Sequence, residues 1–162
     1  LRLSNLNNLI SEGVEEDIKN DIEFIRNRVK MLTEFAEIPS INLDQQKIKD
    51  AIANIARNAI QAMPEGGTLK IFTKKIDNNK IEIKVSDTGT GISPDQLPHV
   101  FDRFFTTKKR GSGLGLAICK RTVEAHNGEI KIESEVGKGT TFIIYLPIAQ
   151  PENKTGKIGN KT

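Results

Sequence analysis

Hydrophobic positions recur at two different periods along the chain, and the changes of period predict its secondary structure. After Ser4, a candidate N-cap, apolar residues recur every three or four positions over 6–25, which predicts an amphipathic helix of about twenty residues. The same spacing predicts a second helix over about 44–63 and a third over about 113–126.

Alternation of apolar and polar residues predicts the strands between these helices. The predicted strands lie near 29–35, 68–76, 80–87, 129–134 and 140–146, and Asp77-Asn78-Asn79 joins two of them as a hairpin. This order predicts an α/β (α+β) two-layer sandwich: a mixed, mostly antiparallel five-stranded sheet with three helices on one face.

Residues 88–112 interrupt this regular pattern. They lose all periodicity and gain Gly, Pro, Thr and Lys. A loop of that length inside a compact domain is usually functional or a sign that elements have been misassigned. The chain after 147 is rich in Pro, Gly, Lys and Asn. We therefore expect one domain over 1–147 and a flexible tail over 148–162.

Composition narrows the class of protein. With 36% hydrophobic and 28% charged residues, the chain of 162 residues can fill one core. The net charge of +3 falls largely in the tail, and aromatics are 5% with no Trp, so we expect no nucleic-acid partner. The longest apolar run, 142–149, is too short to span a bilayer.

The chain starts at Leu1 with no leader sequence, and we expect it to be a piece of a longer protein. The single cysteine, Cys119, lies among apolar residues and is expected to pack in the core, which fits a reducing compartment. We expect a cytoplasmic domain, with any membrane attachment in the missing part.

The second helix carries Asn54 and Asn58 four residues apart, on one face at the edge of its apolar stripe. Their amides could chelate a cation through the carbonyl oxygens or bind phosphate. Two solvated asparagines are the alternative interpretation.

Asp87 is the last residue of a predicted strand and lies on the same face as the isoleucines of that strand, so its carboxylate is predicted to point at the core. A buried carboxylate needs donors. The Thr-Gly-Thr-Gly that follows lets backbone approach a ligand, which indicates an acceptor for an N–H donor such as the adenine amine. Alternatively, Asp87 caps its own turn.

A third cluster, Lys-Lys-Arg-Gly-Ser-Gly-Leu-Gly-Leu over 108–116, opens a helix. Glycine-rich backbone at a helix N-terminus offers N–H donors to phosphate. The glycine spacing is GxGxG with no Lys-Ser/Thr ending, so the cluster is neither a P-loop nor a strong dinucleotide-binding motif.

Together these motifs resemble the ATP-binding catalytic domain of sensor histidine kinases, in the superfamily (HATPase_c, GHKL, Bergerat fold) shared with gyrase and heat-shock chaperones. The similar segments are an N-box at 54–59, glycine boxes at 87–91, 111–115 and 137–142, and a phenylalanine box at 100–108. The stretches over 58–67 and 104–108 look most like the nitrogen-regulation sensors.

The resemblance implies a domain that binds ATP and Mg²⁺. Asn58 would ligate Mg²⁺, and Asn54, Asn58 and Lys108 would be the catalytic set, with Asn54 on the triphosphate side. Asp87 would accept the adenine amine. The implied nucleotide-binding residues are Asn54, Asn58, Ala62, Asp87, Gly89, Gly91, Ile92, Phe104, Thr106, Thr107, Lys108, Gly111, Ser112, Gly113, Leu114, Gly115, Leu116 and Thr140.

Residues 93–112 would form an ATP lid, anchored by the apolar side chains of Phe101, Phe104 and Phe105. Two positions depart from common family patterns. Hydrolytic relatives usually carry Glu where Asn54 stands, and many histidine kinases carry Lys where Gln61 stands. Rapid hydrolysis is therefore not expected, because an amide cannot act as the base.

The resemblance also implies partners. Of the two histidines, His99 falls in the lid and His126 at a helix C-terminus, where its positive charge suits the dipole, so neither is expected to accept phosphate. The acceptor histidine would belong to an absent dimerisation domain, and its phosphate would pass to a response-regulator aspartate. The parent would be a homodimer and this fragment a monomer. A non-catalytic nucleotide-binding regulatory module and a hydrolysing ATPase are the alternatives.

Overall fold

The structure is a computed structural model that describes residues 1–106 and 113–148. Along the chain its elements are β1 (Arg2–Ser4), α1 (Leu6–Leu9), a π-helical segment (Ile10–Glu15), α2 (Glu16–Lys19), α3 (Ile22–Arg26), β2 (Val29–Phe35), β3 (Ile41–Leu43), α4 (Gln45–Gln61), β4 (Gly67–Lys75), β5 (Lys80–Asp87), a 3-10 helix (Leu97–His99), α5 (Gly115–Ala125), β6 (Glu129–Glu135) and β7 (Gly139–Pro147).

Five strands form the main sheet, in the order β2-β4-β5-β7-β6. Only the β2–β4 pairing is parallel among these described strands, so the predicted mixed, mostly antiparallel sheet is confirmed. Asp77 closes the β4–β5 hairpin, since its carboxylate accepts the N–H groups of Asn79 and Lys80 at 2.7 and 3.1 Å. The sheet order makes β5 the central strand, and Asp87 is its last residue.

Helices cover one face of this sheet, as predicted. The buried stripe of α4 and the inward side chains of β4 and β5 form the centre of the core. Its members include Ile48, Ile52, Ile55, Leu69, Ile71, Ile81 and Ile83, none more than 2% exposed. Each such side chain contributes roughly 1.5–3 kcal/mol by leaving water. The helix that carries both asparagines is thus fixed to the sheet.

The first helical stretch is shorter than predicted. Asn5 rather than Ser4 caps it, and the helix stops after Lys19. Asp21, in extended conformation, then caps the separate helix α3 by accepting the Glu23 and Phe24 N–H groups. This restart turns Ile22 and Ile25 outward, 78% and 63% exposed, so their predicted place in the buried stripe is wrong.

A two-stranded sheet of β1 and β3 was not predicted, because three-residue strands are too short to show alternation. Ile41 and Leu43 of β3 are buried and lead directly into α4. Asp44 caps α4 by accepting the Lys47 N–H at 3.1 Å.

His126 joins the two helices that carry the predicted site. Its Nδ1 lies 2.7 Å from the Thr122 carbonyl oxygen, and its Nε2 accepts the backbone N–H of Asp44 at 2.9 Å. Since Nε2 is an acceptor, the imidazole is neutral with its proton on Nδ1. The expectation of a cation at this helix end is therefore wrong.

Among residues 1–106 and 113–148, no helix has both the length and the apolar character needed to cross a membrane.

Candidate nucleotide-binding site

A cavity of about 670 Å³ opens between α4, the segment after β5 and the start of α5. It brings together these predicted site residues: Asn54, Asn58, Ala62, Asp87, Gly91, Ile92, Thr106, Gly113, Gly115, Leu116 and Thr140. Gly89, Phe104 and Leu114 are not part of its lining. Thr107, Lys108, Gly111 and Ser112 lie outside the described residues.

Asp87 lies at one end of the cavity and is 7% exposed. Its Oδ1 accepts the backbone N–H groups of Gly89 at 2.8 Å and Thr140 at 3.3 Å. Within the described chain no group bonds to the other oxygen, Oδ2. Burial raises the pKa of this carboxyl group, and the two N–H bonds oppose that rise. The interpretation that Asp87 caps its own turn is therefore confirmed for Oδ1, and the role of Asp87 as an acceptor for a ligand stays a prediction that Oδ2 leaves open.

Ser134 is a site residue that the sequence analysis missed. Its Oγ accepts the Ile92 N–H at 2.8 Å and lies 2.8 Å from Thr140 Oγ1 and 3.1 Å from the Gly139 carbonyl oxygen. This network ties the loop after β5 to β6 and β7. The signal was present, because Ser134 has the same parity as Ile130 and Ile132 on its strand.

Gly91 makes this close approach of backbones possible. Its φ is 73°, and a Cβ there would overlap the Glu135 carbonyl group. The preceding residue, Thr90, bonds in two directions: its N–H donates to the Ala62 carbonyl oxygen at 3.0 Å, and its carbonyl oxygen accepts the Gly137 N–H at 2.9 Å. The glycine box after Asp87 is thus held between the end of α4 and the β6–β7 turn.

Asn54 and Asn58 line the cavity further along α4. Ala62, beside the Asp87 loop, is eight residues after Asn54, which places Asn54 about 12 Å away along the helix axis. Asn54 lies against α5, where its Nδ2 donates to Cys119 Sγ at 3.4 Å. Cys119 is buried as predicted, and burial raises the pKa of its thiol. The cavity therefore runs from a buried carboxylate to a pair of amides.

The segment 93–106 borders the cavity through Gln96, Val100, Phe105 and Thr106. Phe101 anchors it, with its ring packed edge-on against Phe142 at a centroid distance of 6.1 Å. Phe104 does not anchor it. At φ 66° the backbone turns this side chain outward, and it is 73% exposed.

Phe104 and Gly113 meet at the base of the undescribed stretch. The Phe104 N–H donates to the Gly113 carbonyl oxygen at 2.9 Å. Gly113 has φ 71°, and a Cβ there would overlap the Phe104 backbone. The two ends of the segment 105–112 are therefore fixed beside each other.

Residues 43–150 match the family described as histidine kinase-, DNA gyrase B- and HSP90-like ATPase. The chain belongs to this family. The match contains the N-box, all three glycine boxes and the phenylalanine box, so the resemblance inferred from these motifs is confirmed.

Members of the family with related sequences are named kinases. Sporulation kinase E of Bacillus subtilis is 42% identical over 114 residues, which are 70% of this chain and 15% of that protein. Sensor histidine kinase ZraS of Salmonella typhimurium is 34% identical over 154 residues, which are 91% of this chain and 31% of that protein. This chain thus spans well under half the length of the curated relatives it matches.

Solved structures of the family share the fold. The catalytic domain of histidine kinase ThkA has a TM-score of 0.78 at 30% identity, over 91% of this chain and 97% of that one. Full-length ShkA in complex with AMPPNP has a TM-score of 0.80 at 26% identity, over 93% of this chain and 31% of that one. This chain therefore has the architecture of a histidine kinase catalytic domain.

Proposed function

We propose that this domain binds Mg-ATP in the cavity and donates the γ-phosphate to a histidine on the dimerisation domain of a sensor kinase. The phosphate then passes to an aspartate of a response regulator. The observation that supports this most is the cavity with Asp87 at one end and Asn54 and Asn58 at the other. The AMPPNP bound to ShkA and the complex of ThkA with the response regulator TrrA support the nucleotide and the partner.

The end at Asp87 suits an adenine base. Oδ2 of this carboxylate accepts the exocyclic amine, and a water held by the Thr140 hydroxyl can serve the neighbouring ring nitrogen. Ile92, Leu116 and Phe142 line the same cavity and give the flat faces of the ring apolar contact. A buried acceptor of this kind discriminates between bases, because a base without the donor leaves the carboxylate unpaired.

The end at the asparagines suits a magnesium triphosphate. Mg²⁺ takes hard oxygen ligands and binds through one or two protein groups, phosphate oxygens and water. The described residues contain no cluster of three His, Cys, Asp or Glu side chains for a metal. The amide oxygen of Asn58 and the phosphates would therefore hold the ion, which neutralises charge on the phosphates when bound.

The start of α5 suits the phosphates themselves. Among the described residues no side chain caps this helix. The N–H groups of a first helical turn point out of the helix and favour an anion there. The backbone of 111–116 and Lys108 are proposed to complete this cradle. Lys108 would carry the positive charge that Gln61 does not supply.

The acceptor histidine must come from elsewhere in the parent. His126 is 3% exposed with both ring nitrogens bonded, and His99 is paired with Asp102 at 2.9 Å. Transfer breaks the bond from the γ-phosphorus to its bridging oxygen and forms a bond to the histidine nitrogen, and ADP leaves. The domain supplies position and charge neutralisation. Binding a dimeric partner domain agrees with a homodimeric parent and a monomeric fragment.

Calorimetric titration with ADP and AMPPNP, with and without Mg²⁺, tests the binding step. We expect the unchanged chain to bind both, Asp87→Asn to lose adenine nucleotides and Asn58→Ala to lose the effect of Mg²⁺. Asp50→Asn and Asn42→Ala, at exposed positions outside the cavity, are the matched controls and should bind as the unchanged chain does.

A folded chain that binds no adenine nucleotide under either condition would falsify the proposal. The transfer step is tested by adding a dimerisation domain that carries the acceptor histidine and assaying acid-labile phosphate. Binding without transfer would favour the regulatory module. Steady-state phosphate release would favour the hydrolysing ATPase, which the absence of a carboxylate at Asn54 disfavours.

A further inference from the structure

Cys119 forms a short hydrogen-bond relay beneath the cavity. Its Sγ accepts from Asn54 Nδ2 at 3.4 Å and donates to the Ala51 carbonyl oxygen at 3.4 Å. The thiol is 1% exposed, so no water competes for either bond. The relay joins α5 to two residues of α4 that are three positions apart on one face of the helix.

Gly115, one turn before Cys119 on α5, confines the same amide from a second side. A Cβ at this position would lie 2.7 Å from Asn54 Nδ2 and 2.9 Å from its Oδ1. The edge of the amide that carries its nitrogen and oxygen therefore faces the bare backbone of Gly115, while the nitrogen bonds to the thiol. Only a glycine leaves room for this arrangement.

The relay decides which end of the amide can serve a ligand. A primary amide has a donor nitrogen at one end and an acceptor oxygen at the other. Because the thiol bonds to one of the two N–H groups, it holds the nitrogen end of the amide toward Cys119 and leaves the carbonyl oxygen at the other end. An acceptor oxygen binds a cation or its water, whereas a phosphate oxygen would require the donor end.

We propose that Cys119 is a positioning residue, whose thiol turns the Asn54 amide so that its carbonyl oxygen serves the magnesium side of the bound nucleotide. The proposal rests on the proposed function of the cavity as a Mg-nucleotide site. It assigns to the single cysteine a task beyond packing, and to Asn54 an acceptor role that its sequence position leaves open.

Two substitutions separate positioning from packing. Cys119→Ser keeps an acceptor and a donor at this position but is slightly smaller. Cys119→Val keeps apolar volume but offers neither. If the cysteine only packs, the valine variant should resemble the unchanged chain and the serine variant should be impaired. If the thiol positions Asn54, the ranking should be reversed.

The experiment measures the amide directly and then the ion. In nucleotide-free, nitrogen-15-labelled protein, the side-chain NH₂ resonances of Asn54 are assigned by their loss in Asn54→Ala. We expect Cys119→Val to change the chemical shifts of these two NH₂ resonances, and Cys119→Ser to leave them close to their values in the unchanged chain. Calorimetry should show that Cys119→Val weakens the Mg²⁺-dependent gain in ADP affinity about 3- to 10-fold, the value of one hydrogen bond, while Mg²⁺-free binding stays constant.

Ile118→Val, at a 57% exposed position on the same helix, is the matched control and should change neither measurement. The double variant Asn54→Ala with Cys119→Val should lose no more magnesium effect than Asn54→Ala alone. An unshifted NH₂ pair and an intact magnesium effect in Cys119→Val would overturn the proposal. Failure of the unchanged chain to bind Mg-ADP would instead overturn the proposed function, and the resonance measurement would still decide the orientation of the amide.

Discussion

The two oxygens of Asp87 have separate tasks, and this separation controls what the cavity can select. Oδ1 is committed to the N–H groups of Gly89 and Thr140, which require an acceptor there. An amide at this position must therefore keep its oxygen on that side and turn its NH₂ group toward the ligand.

This geometry predicts a change of base preference in Asp87→Asn. The NH₂ group would face the adenine amine donor to donor but could bond to the 6-oxo group of hypoxanthine. We expect ADP affinity to fall roughly 100-fold and the preference for IDP over ADP to rise, since an unmatched buried polar group excludes a ligand strongly. Parallel titrations with ADP and IDP measure both, with Asp50→Asn as control, and an unchanged order of affinities would contradict the assigned geometry.

Asp87 also predicts opposite effects of pH on binding and on stability. Burial raises its pKa, so the carboxylate takes up a proton above the ordinary aspartate range and then no longer accepts the adenine amine. Nucleotide affinity should therefore fall as the pH is lowered toward that raised value. Titrations across a pH series measure this loss, which Asp50→Asn should share and Asp87→Asn should not show.

The stability of the nucleotide-free protein should change in the other direction. Because the folded state holds the proton more tightly than the unfolded state, the contribution of Asp87 is largest at low pH and is lost as the pH rises through the raised value. Asp87→Asn should accordingly melt at a higher temperature than the unchanged chain at neutral pH. If the difference in melting temperature between Asp87→Asn and the unchanged chain grew as the pH was lowered, that result would contradict the burial of this carboxylate.

Single residues were predictable where a strand or a motif fixed their direction. The parity of β5 predicted that Asp87 points inward, helical spacing placed Asn54 beside Asn58, and the family resemblance supplied Thr140. Phe104 was misplaced because its positive φ, which reverses the side chain, has no signal in a phenylalanine. Glu23 and Gln96 also line the cavity, but they belong to no motif and reach it through the tertiary fold alone.

At the scale of elements, the spacing between α4 and α5 sets the width of the site. α4 carries both asparagines, and α5 carries Gly115 and Cys119. His126 fixes the far ends of the two helices by bonding to Asp44 and Thr122. A change at this histidine should therefore act on stability first.

We predict that His126→Phe lowers the free energy of unfolding by about 1–3 kcal/mol, because the Asp44 N–H and the Thr122 carbonyl group lose their buried partner. His126→Gln, which keeps an acceptor and a donor, should lose less. Urea denaturation monitored by circular dichroism measures both. His99→Phe, at the other and exposed histidine, is the control, and an equal loss there would count against a bridging role for His126.

The sequence predicted the long elements well and the short ones badly. α4 and the five main strands have enough residues for their period to be read. The interruption at Asn20 and Asp21 lies inside a continuous apolar spacing, so periodicity alone predicted one helix. Strands β1 and β3 pair with each other although about forty positions separate them along the chain. Pairing between such distant segments leaves no local pattern in the sequence.

In the whole molecule, β5 and its neighbouring strands lie in the middle of the main sheet, and the loops that line the cavity lie at one end. β4, β5 and β7 are paired on both sides, whereas β2 and β6 are edges of the main sheet. Backbone groups that are paired on both sides and buried open only with global unfolding.

Hydrogen exchange should follow this order. We predict the slowest amide exchange in β4, β5 and β7, faster exchange in β2 and β6, and the fastest in β1, β3 and 93–106. Added Mg-ADP should slow exchange in 87–92 and 134–140, where the base is proposed to bind, and leave the β4–β5 hairpin turn unchanged. Mass spectrometry of peptides measures both, and slowing confined to the hairpin would place the ligand elsewhere.

The contact between Phe104 and Gly113 has a consequence for how this region can vary in length. The hydrogen bond fixes the two positions between which 105–112 runs, so a change in the number of residues between them leaves the sheet and helices in register. The free-energy cost of connecting two fixed ends grows only with the logarithm of the length of the connection, about 0.6 kcal/mol for each doubling. A change of length here should therefore cost the fold little, although it would alter the backbone of 111–116 that is proposed to bind the phosphates.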